Sequence, residues 1–427
     1  MIDSNDILTL LSIPREEVLS TNIIIDTDNI FVIEIELRDN RTNCPFCLSD
    51  NLVIKDYYKV RIKNNVIRAK KLTVHIKIRR YKCKCCGKTF KQRFSLYETN
   101  HTISNRTIEL VRLMLMKQIS MSYIAKELGI NKQTVINILD DMIEPQRLSL
   151  QKVICLDEFH FSNANHKAGK YPCVISNPFN SEIIDIVESR RKDYLVEYFR
   201  SIPFYERNNV DYFITDMNET YCSIQHMFFS EAIHIVDHFH IIKVFTDAIQ
   251  KIRIRIMKTY PTDSKEYKYL KKNWKLFLKK RYDLLDDKKV NERTGVVHYT
   301  LDDIDYVLRK YPDLFAVYWA KEEFSSQMLK LHSFPEAKNK IDFFINQFSN
   351  SLVKELNDIA NTFKNWYIEI INSYSKNMHG IVLTNAMAES NNNYIQTLIN
   401  IGYGYTNFHR LRKRILYMSS NKNRNQK

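Results

Sequence analysis

From Leu72 to Cys83 the chain reads LTVHIKIRRYKC, with Leu72, Val74, Ile76 and Ile78 alternating with Thr73, His75, Lys77 and Arg79. A period of two puts one set on each face of a strand and predicts a β-ribbon with a basic outer face. From Arg106 the period lengthens. RTIELVRLMLMKQ carries Ile108, Val111, Leu113, Leu115 and Met116 on a helix, and MSYIAKELGINKQTVINIL follows. There Ala125 is small where two helices would cross, Gly129 falls in the turn, and Val135 is apolar in the second helix. That spacing predicts a helix-turn-helix with its second helix at about Lys132 to Leu139.

Beyond Lys152 the period shortens again. KVICLDEFHF, KYPCVISN and SEIIDIVES read as strands, the last two joined at PFNS; KDYLVEYFRSI is helical; VDYFITDM is a strand; NETYCSIQHMFF is helical; AIHIVDHFH is a fifth strand. The order β-β-β-α-β-α-β is that of an RNase H-like core, where the first and fourth strands lie side by side. Each of those two ends in an acid, so the order would bring Asp157 and Asp216 together. Four helical segments follow, at 241–258, 266–285, 304–324 and 352–374, separated by Pro and Asn-rich turns. Their Lys/Arg-rich faces, with Trp274, Tyr282 and Trp319, suit either solvent or a DNA backbone.

The pattern predicts a multidomain α+β chain: a β-rich domain with a zinc ribbon (1–98), a helix-turn-helix domain (99–150), the first part of an RNase H-like α/β core (151–240), an all-helical insertion (241–380), and a core helix with a basic tail (381–427). Composition agrees with a globular chain: of 427 residues, 44% are hydrophobic, which excludes disorder throughout. With 64 Lys+Arg against 49 Asp+Glu, the net charge of +15 points to a polyanionic partner, nucleic acid before a membrane surface. MIDSNDILTL is acidic and lacks the apolar core of a signal peptide, and no run reaches the length of a membrane span. A cytoplasmic, DNA-associated protein is the expectation.

Five of the eight cysteines fall between Cys44 and Cys86. CPFC supplies Cys44 and Cys47, and YKCKCCGKTF supplies Cys83 and Cys86. Two paired C-x-x-C knuckles make a closed four-thiolate site for one structural zinc, with Cys85 to spare. Lys132, Gln133, Thr134 and Asn137 point outward from the second helix of the helical pair, and such side chains reach phosphates and base edges in a major groove. Asp157 and Asp216 repel each other without a cation; hard oxygen ligands favour two Mg²⁺ or Mn²⁺ ions once a third carboxylate joins them.

The stretch TNAMAESNNNYIQTL, from Thr384 to Leu398, bears on that third acid. On a helical wheel Glu389, Asn392, Asn393 and Gln396 share a face, opposite Met387, Tyr394, Ile395 and Leu398. A solvated face is the ordinary reading of a polar stripe, yet this one carries amides in place of Lys and Glu, which suits a crowded polar pocket or DNA. Over nearly its whole length the chain resembles the DDE transposases of bacterial insertion sequences, the ISL-three family. The resemblance rests on CPFC with RRYKCKCCGKTF, the helix-turn-helix, CLDEF, TDMNETY, IVDHFH and TNAMAESNNNYIQTLINIGYGYTNFHRLRKRIL. It implies a catalytic triad of Asp157, Asp216 and Glu389, with Asp237 and His240, a D-x-x-H element, supporting the site. Glu158 and Asp211 are rival carboxylates of lower rank. It further implies binding to terminal inverted repeats and target DNA, strand cleavage and transfer, and a homodimer or larger assembly in a bacterial cytoplasm or nucleoid. Two other readings are a catalytically inactive DNA-binding regulator and an RNase H-like nuclease.

Overall fold

The computed structural model describes the chain except residues 1–7, 10, 42, 65–69, 99–100, 163–166, 181, 286, 291–296, 332, 376–385, 403–404, 406 and 423–427, and except the side chains at 289, 298, 386–389, 421 and 422. It divides into two compact units, Met1–Gln146 with Ile395–Lys427, and Arg147–Tyr394. The division between the units falls within one helix, Ala386–Ile401, between Tyr394 and Ile395.

In the first unit, β1 (Val18–Asp26), β2 (Ile30–Leu37), β3 (Leu52–Lys63), β4 (Lys71–Cys83) and β5 (Thr89–Lys91) form one sheet of order β1-β2-β4-β3, with β5 also pairing β4. The alternation in β4 holds: Leu72, Val74, Ile76 and Ile78 are all buried. They pack with Ile33 and Ile35 of β2 and Ile62 of β3. β2 runs parallel to β4, so the β-ribbon that the alternation predicts is part of a wider sheet.

At the sheet's end the two knuckles fold alike. Cys44 accepts a backbone hydrogen bond from Leu48, and Cys83 accepts one from Gly87. Each closing residue is left-handed, with φ 60° at Leu48 and 71° at Gly87. Glycine adopts that conformation freely; leucine does so at a cost.

Three helices follow: α1 (Asn105–Leu115), α2 (Met121–Glu127) and α3 (Lys132–Met142). Each starts on a short polar N-cap whose side chain accepts a backbone N–H: Ser104 from Thr107, Ser120 from Tyr123, Asn131 from Gln133. Ala125 and Val135 are buried, and Gly129 sits in the α2–α3 turn at φ 64°.

The second unit is built on a sheet of order β10-β9-β6-β7-β8. Its strands are β6 (Val153–Glu158), β7 (Cys173–Asn177), β8 (Glu182–Val187), β9 (Tyr212–Thr215) and β10 (Ile233–Val236). β6, β9 and β10 are parallel; β7 and β8 are antiparallel. All five strands match the sequence pattern, and the first and fourth are neighbours as expected. Helices α4 (Lys192–Ser201), α5 (Phe204–Arg207) and α6 (Glu219–Phe228) connect them. Leu195, Phe199, Tyr221 and Ile224 of these helices cover Ile154, Leu156, Ile175 and Phe213 on one sheet face. The short α5 has no sequence signal, but its Glu206 is buried and takes a bidentate pair from Arg147 at 2.6 and 2.9 Å.

Helices α7 (His238–Met257), α8 (Lys265–Lys272), α9 (Thr300–Lys310), α10 (Pro312–Met328), α11 (Phe334–Ser349), α12 (Lys354–Asn365) and α13 (Tyr367–Tyr374) enclose a second core around Phe245, Phe324, Phe344 and Phe363. Three expected helices are shorter than their patterns: Asn273 ends α8, Pro312 starts a new helix, and Trp366 separates α12 from α13. The expectation of an all-helical segment is corrected by a small hairpin, β11 (Lys288–Val290) with β12 (Val297–Tyr299). Short strands of mixed polarity leave little periodic trace. Last come α14 (Ala386–Ile401) and α15 (Phe408–Lys422).

The knuckle geometry makes a testable statement. Leu48 is 75% exposed, so its side chain contributes little to packing. Leu48→Gly should stabilise the zinc-loaded chain by about 0.5–1 kcal/mol through relief of the left-handed strain, less the extra backbone entropy. Gly87→Val should destabilise it by a larger amount. Thermal denaturation of the two variants beside the parent chain checks both signs.

Candidate active site

Residues 153, 155 and 157 point to one face of β6, and residues 212, 214 and 216 to the same face of its neighbour. Val153 pairs with Tyr212 and Cys155 lies opposite Ile214, so the next step of the register sets Asp157 against Asp216. Ile214 lies opposite Ile235, so the same step sets Asp216 against Asp237. Three aspartates thus stand in one row at the C-terminal ends of three adjacent parallel strands. Beneath them Val153, Cys155, Tyr212, Ile214 and Ile235 form an apolar floor.

Burial and crowding raise the carboxyl pKa values. Asp157 is pushed up to about 6, first by burial and then by Glu158 and Asp237. Asp216 is pushed up to about 7, first by burial and then by Glu158 and Asp157. Asp157 is held by two donors: the Glu158 N–H at 2.8 Å on Oδ1 and the Asn392 amide at 2.9 Å on Oδ2. Asn392 also donates to the Glu158 carbonyl at 3.1 Å. Asp216 Oδ1 and Asn392 Oδ1 are buried oxygens with no hydrogen-bond partner. An unsatisfied carboxylate oxygen among other acids costs free energy in a dry pocket and fits a divalent cation.

The remaining sequence candidates fall as follows. Glu389 lies on α14 three residues before Asn392, on the same helical stripe; its side chain is outside the described residues. Of that stripe, Asn393 is exposed, and the buried positions nearby are Asn391 and Ile395. Among the described residues, no group of three ligand side chains mutually within 4.8 Å includes Asp157 or Asp216. Asp237 is 7% exposed, caps the start of α7, and donates its N–H to the Thr215 carbonyl. His240, a turn into α7, has its pKa lowered by burial, against the pull of Asp237. Glu158 is tied to Arg190 at 3.0 Å. Asp211 pairs with Lys152 at 3.3 Å at the opposite end of the sheet, which removes it as a rival. Sequence reasoning missed Arg190, whose only signal is that it follows β8.

The four cysteines meet in the first unit. Sγ of Cys44 is 3.7 Å from that of Cys86, and Cys47 is 3.6 Å from Cys83; all four sulfurs lie within 4.8 Å of one another. A tetrahedron with Zn–S near 2.3 Å has edges of about 3.8 Å, so the residues fit zinc. The Cys86 and Cys85 amides aimed at Cys83 lower its thiol to about 7. Cys85 is exposed and outside the cluster.

On the helical module Lys132, Gln133 and Asn137 are exposed and Thr134 half-buried. Gln133 donates to Asn137 at 2.7 Å, joining two amides on one exposed stripe. The basic α15 spends cations internally. Arg410 pairs with Asp140, and Arg414 is fully buried, donating to the Lys117 and Ile119 carbonyls at 2.9 and 3.0 Å. Among the described residues, no helix is long and apolar enough to cross a membrane.

Comparison with known families gives two matches. A transposase family model of the ISL3 group matches residues 154–415, more than half of the chain. The zinc-finger of transposase IS204/IS1001/IS1096/IS1165 matches residues 40–86, which contain all four clustered cysteines. No curated protein matches the chain.

The raised carboxyls set a pH dependence. Between about pH 4 and about pH 7 the folded chain holds protons on Asp157 and Asp216 that the unfolded chain has released. Metal-free stability should therefore fall as pH rises through that window. Magnesium competes with those protons, so it should raise Tm at about pH 8 and leave it unchanged near pH 4. Melts with and without magnesium at both pH values test this; Asp216→Asn should flatten the slope and blunt the magnesium response.

Proposed function

The chain belongs to the ISL3 transposase family, and from that premise we propose that it cuts DNA at the ends of its own mobile element and joins the freed ends to target DNA. Asp157, Asp216 and Glu389 are the proposed catalytic triad on an RNase H-like core. The observation that carries this reading is the aspartate row, with Asp157 bonded to Asn392 three residues after Glu389. In an α-helix the i, i+3 spacing sets Glu389 on the same face as Asn392, which supports its assignment.

Each residue has a definable task. Asp157 and Asp216 supply the hard oxygen ligands, and Asp216 Oδ1 is available for one. Two magnesium or manganese ions, when bound, activate the attacking oxygen and stabilise the leaving oxygen in displacement at phosphorus. Asn392 fixes the Asp157 carboxylate through Oδ2 and leaves its own carbonyl oxygen for water or substrate. Asp237 stands beside the pair, His240 is kept neutral by burial, and Arg190 pairs with Glu158. The first displacement uses water and frees a 3′-hydroxyl; the second uses that hydroxyl on target DNA.

The zinc ribbon and the helix-turn-helix α2–α3 are the proposed readers of the terminal repeats. Lys132 addresses phosphates, while Gln133, Thr134 and Asn137 address base edges. The +15 net charge favours association with DNA at low salt. Cutting both ends of an element calls for at least two copies.

Two measurements test the proposal. With supercoiled plasmid bearing the element ends and magnesium, the parent chain should break strands at those ends. Glu389→Gln and Asp157→Asn should reduce breakage at least a hundredfold while binding persists. Sequence-specific binding without breaks by any of them would favour the regulator; equal cutting by Glu389→Gln would remove that residue from the site. In gel-shift titrations Gln133→Ala and Asn137→Ala should each cost about 1–3 kcal/mol on the repeat and little on random DNA, whereas Lys132→Ala should weaken both alike.

A further inference from the structure

On the sheet face opposite the aspartate row a second cluster of ligand atoms converges. Cys222 on α6, His234 on β10 and Glu369 on α13 each bring one ligand atom within 4.8 Å of the others. His234 is 6% exposed, and its Nδ1 has no hydrogen-bond partner. Glu369 Oε1 lies 3.9 Å from that nitrogen, too far for a hydrogen bond.

The hydrogen bonds around His234 fix which nitrogen is bare. The Thr215 hydroxyl donates to the Asp216 carbonyl at 2.9 Å, so its proton is committed. His234 Nε2, at 2.8 Å from the same hydroxyl oxygen, must then be the donor. Nδ1 is left as an unprotonated lone pair facing a thiol and a carboxylate. A metal-bound histidine is ordinarily arranged this way, its second nitrogen donating to a fixed oxygen.

We propose that Cys222, His234 and Glu369 form a second zinc site, distinct from the four-cysteine ribbon. One thiolate, one imidazole and one carboxylate are the borderline donors that zinc accepts, and three protein ligands leave a fourth position open. The ion would tie the edge strand β10 to α6 and to α13, which already donates from Asn372 to the His234 carbonyl at 2.9 Å. Through Nε2 and the Thr215 hydroxyl it would also hold the peptide that carries Asp216. These side chains are thus positioning residues.

Zinc content of the purified full-length chain tests the proposal, measured by elemental mass spectrometry after dialysis in millimolar magnesium, which occupies the oxygen-ligand site. Two zinc ions per chain are expected. Cys222→Ala and the near-isosteric Glu369→Gln should each leave one, and Cys44→Ser with Cys47→Ser should remove the other. Circular dichroism confirms that each variant folds, and Glu369→Gln carries the test should Cys222→Ala fail to. One zinc in the parent chain, lost only with the ribbon cysteines, overturns the proposal; so does a second zinc that survives both Cys222→Ala and Glu369→Gln. Neither outcome depends on whether the chain cuts DNA.

Discussion

Everything at the candidate site follows from the parallel pairing of β6 with β9 and of β9 with β10. Parallel strands end together, so acids that follow each strand share one edge of the sheet. Alternation then selects which of them share a face. The result is a row of acids in which burial and mutual charge raise the pKa values of Asp157 and Asp216, while Asn392 and the Glu158 amide donate hydrogen bonds to Asp157. The rest of the second unit braces this row. Apolar side chains fix the strands from below, and Arg190 pairs with Glu158.

Much of this was legible in the sequence. The five strands of the second sheet were visible because each is a short apolar run ended by a turn or an acid. The four zinc-binding cysteines were visible because knuckle spacing is rigid. What escaped was set by tertiary contact. Nothing local separates Glu158 from Asp157 as the acid in the row; the strand register does that. Asp211 looked equivalent by residue type but sits at the start of its strand, paired with Lys152. The three over-long helices share a cause: apolar residues keep a helical period across Asn273, Pro312 and Trp366, where the backbone itself turns.

Charge was the least transferable of the sequence signals. The basic α15 looks like a phosphate-binding tail, yet Arg410 and Arg414 serve as struts within the first unit. Arg147 likewise pairs with buried Glu206 and braces the entry to the second sheet. A cation count therefore overstates what is free to meet a polyanion, and burial decides which lysines and arginines remain.

The bond from Asn392 to Asp157 spans 235 residues. At synthesis rates of about 5–20 residues per second, Asp157 would leave the ribosome tens of seconds before its partner. Through that interval the nascent chain would have its sheet but not the helix that completes the acid pocket. A chain cut short inside the intervening segment would lack both Asn392, the donor to Asp157, and Arg410 and Arg414, the struts of the first unit's helices. The separation makes the acid pocket one of the last features the growing chain can complete.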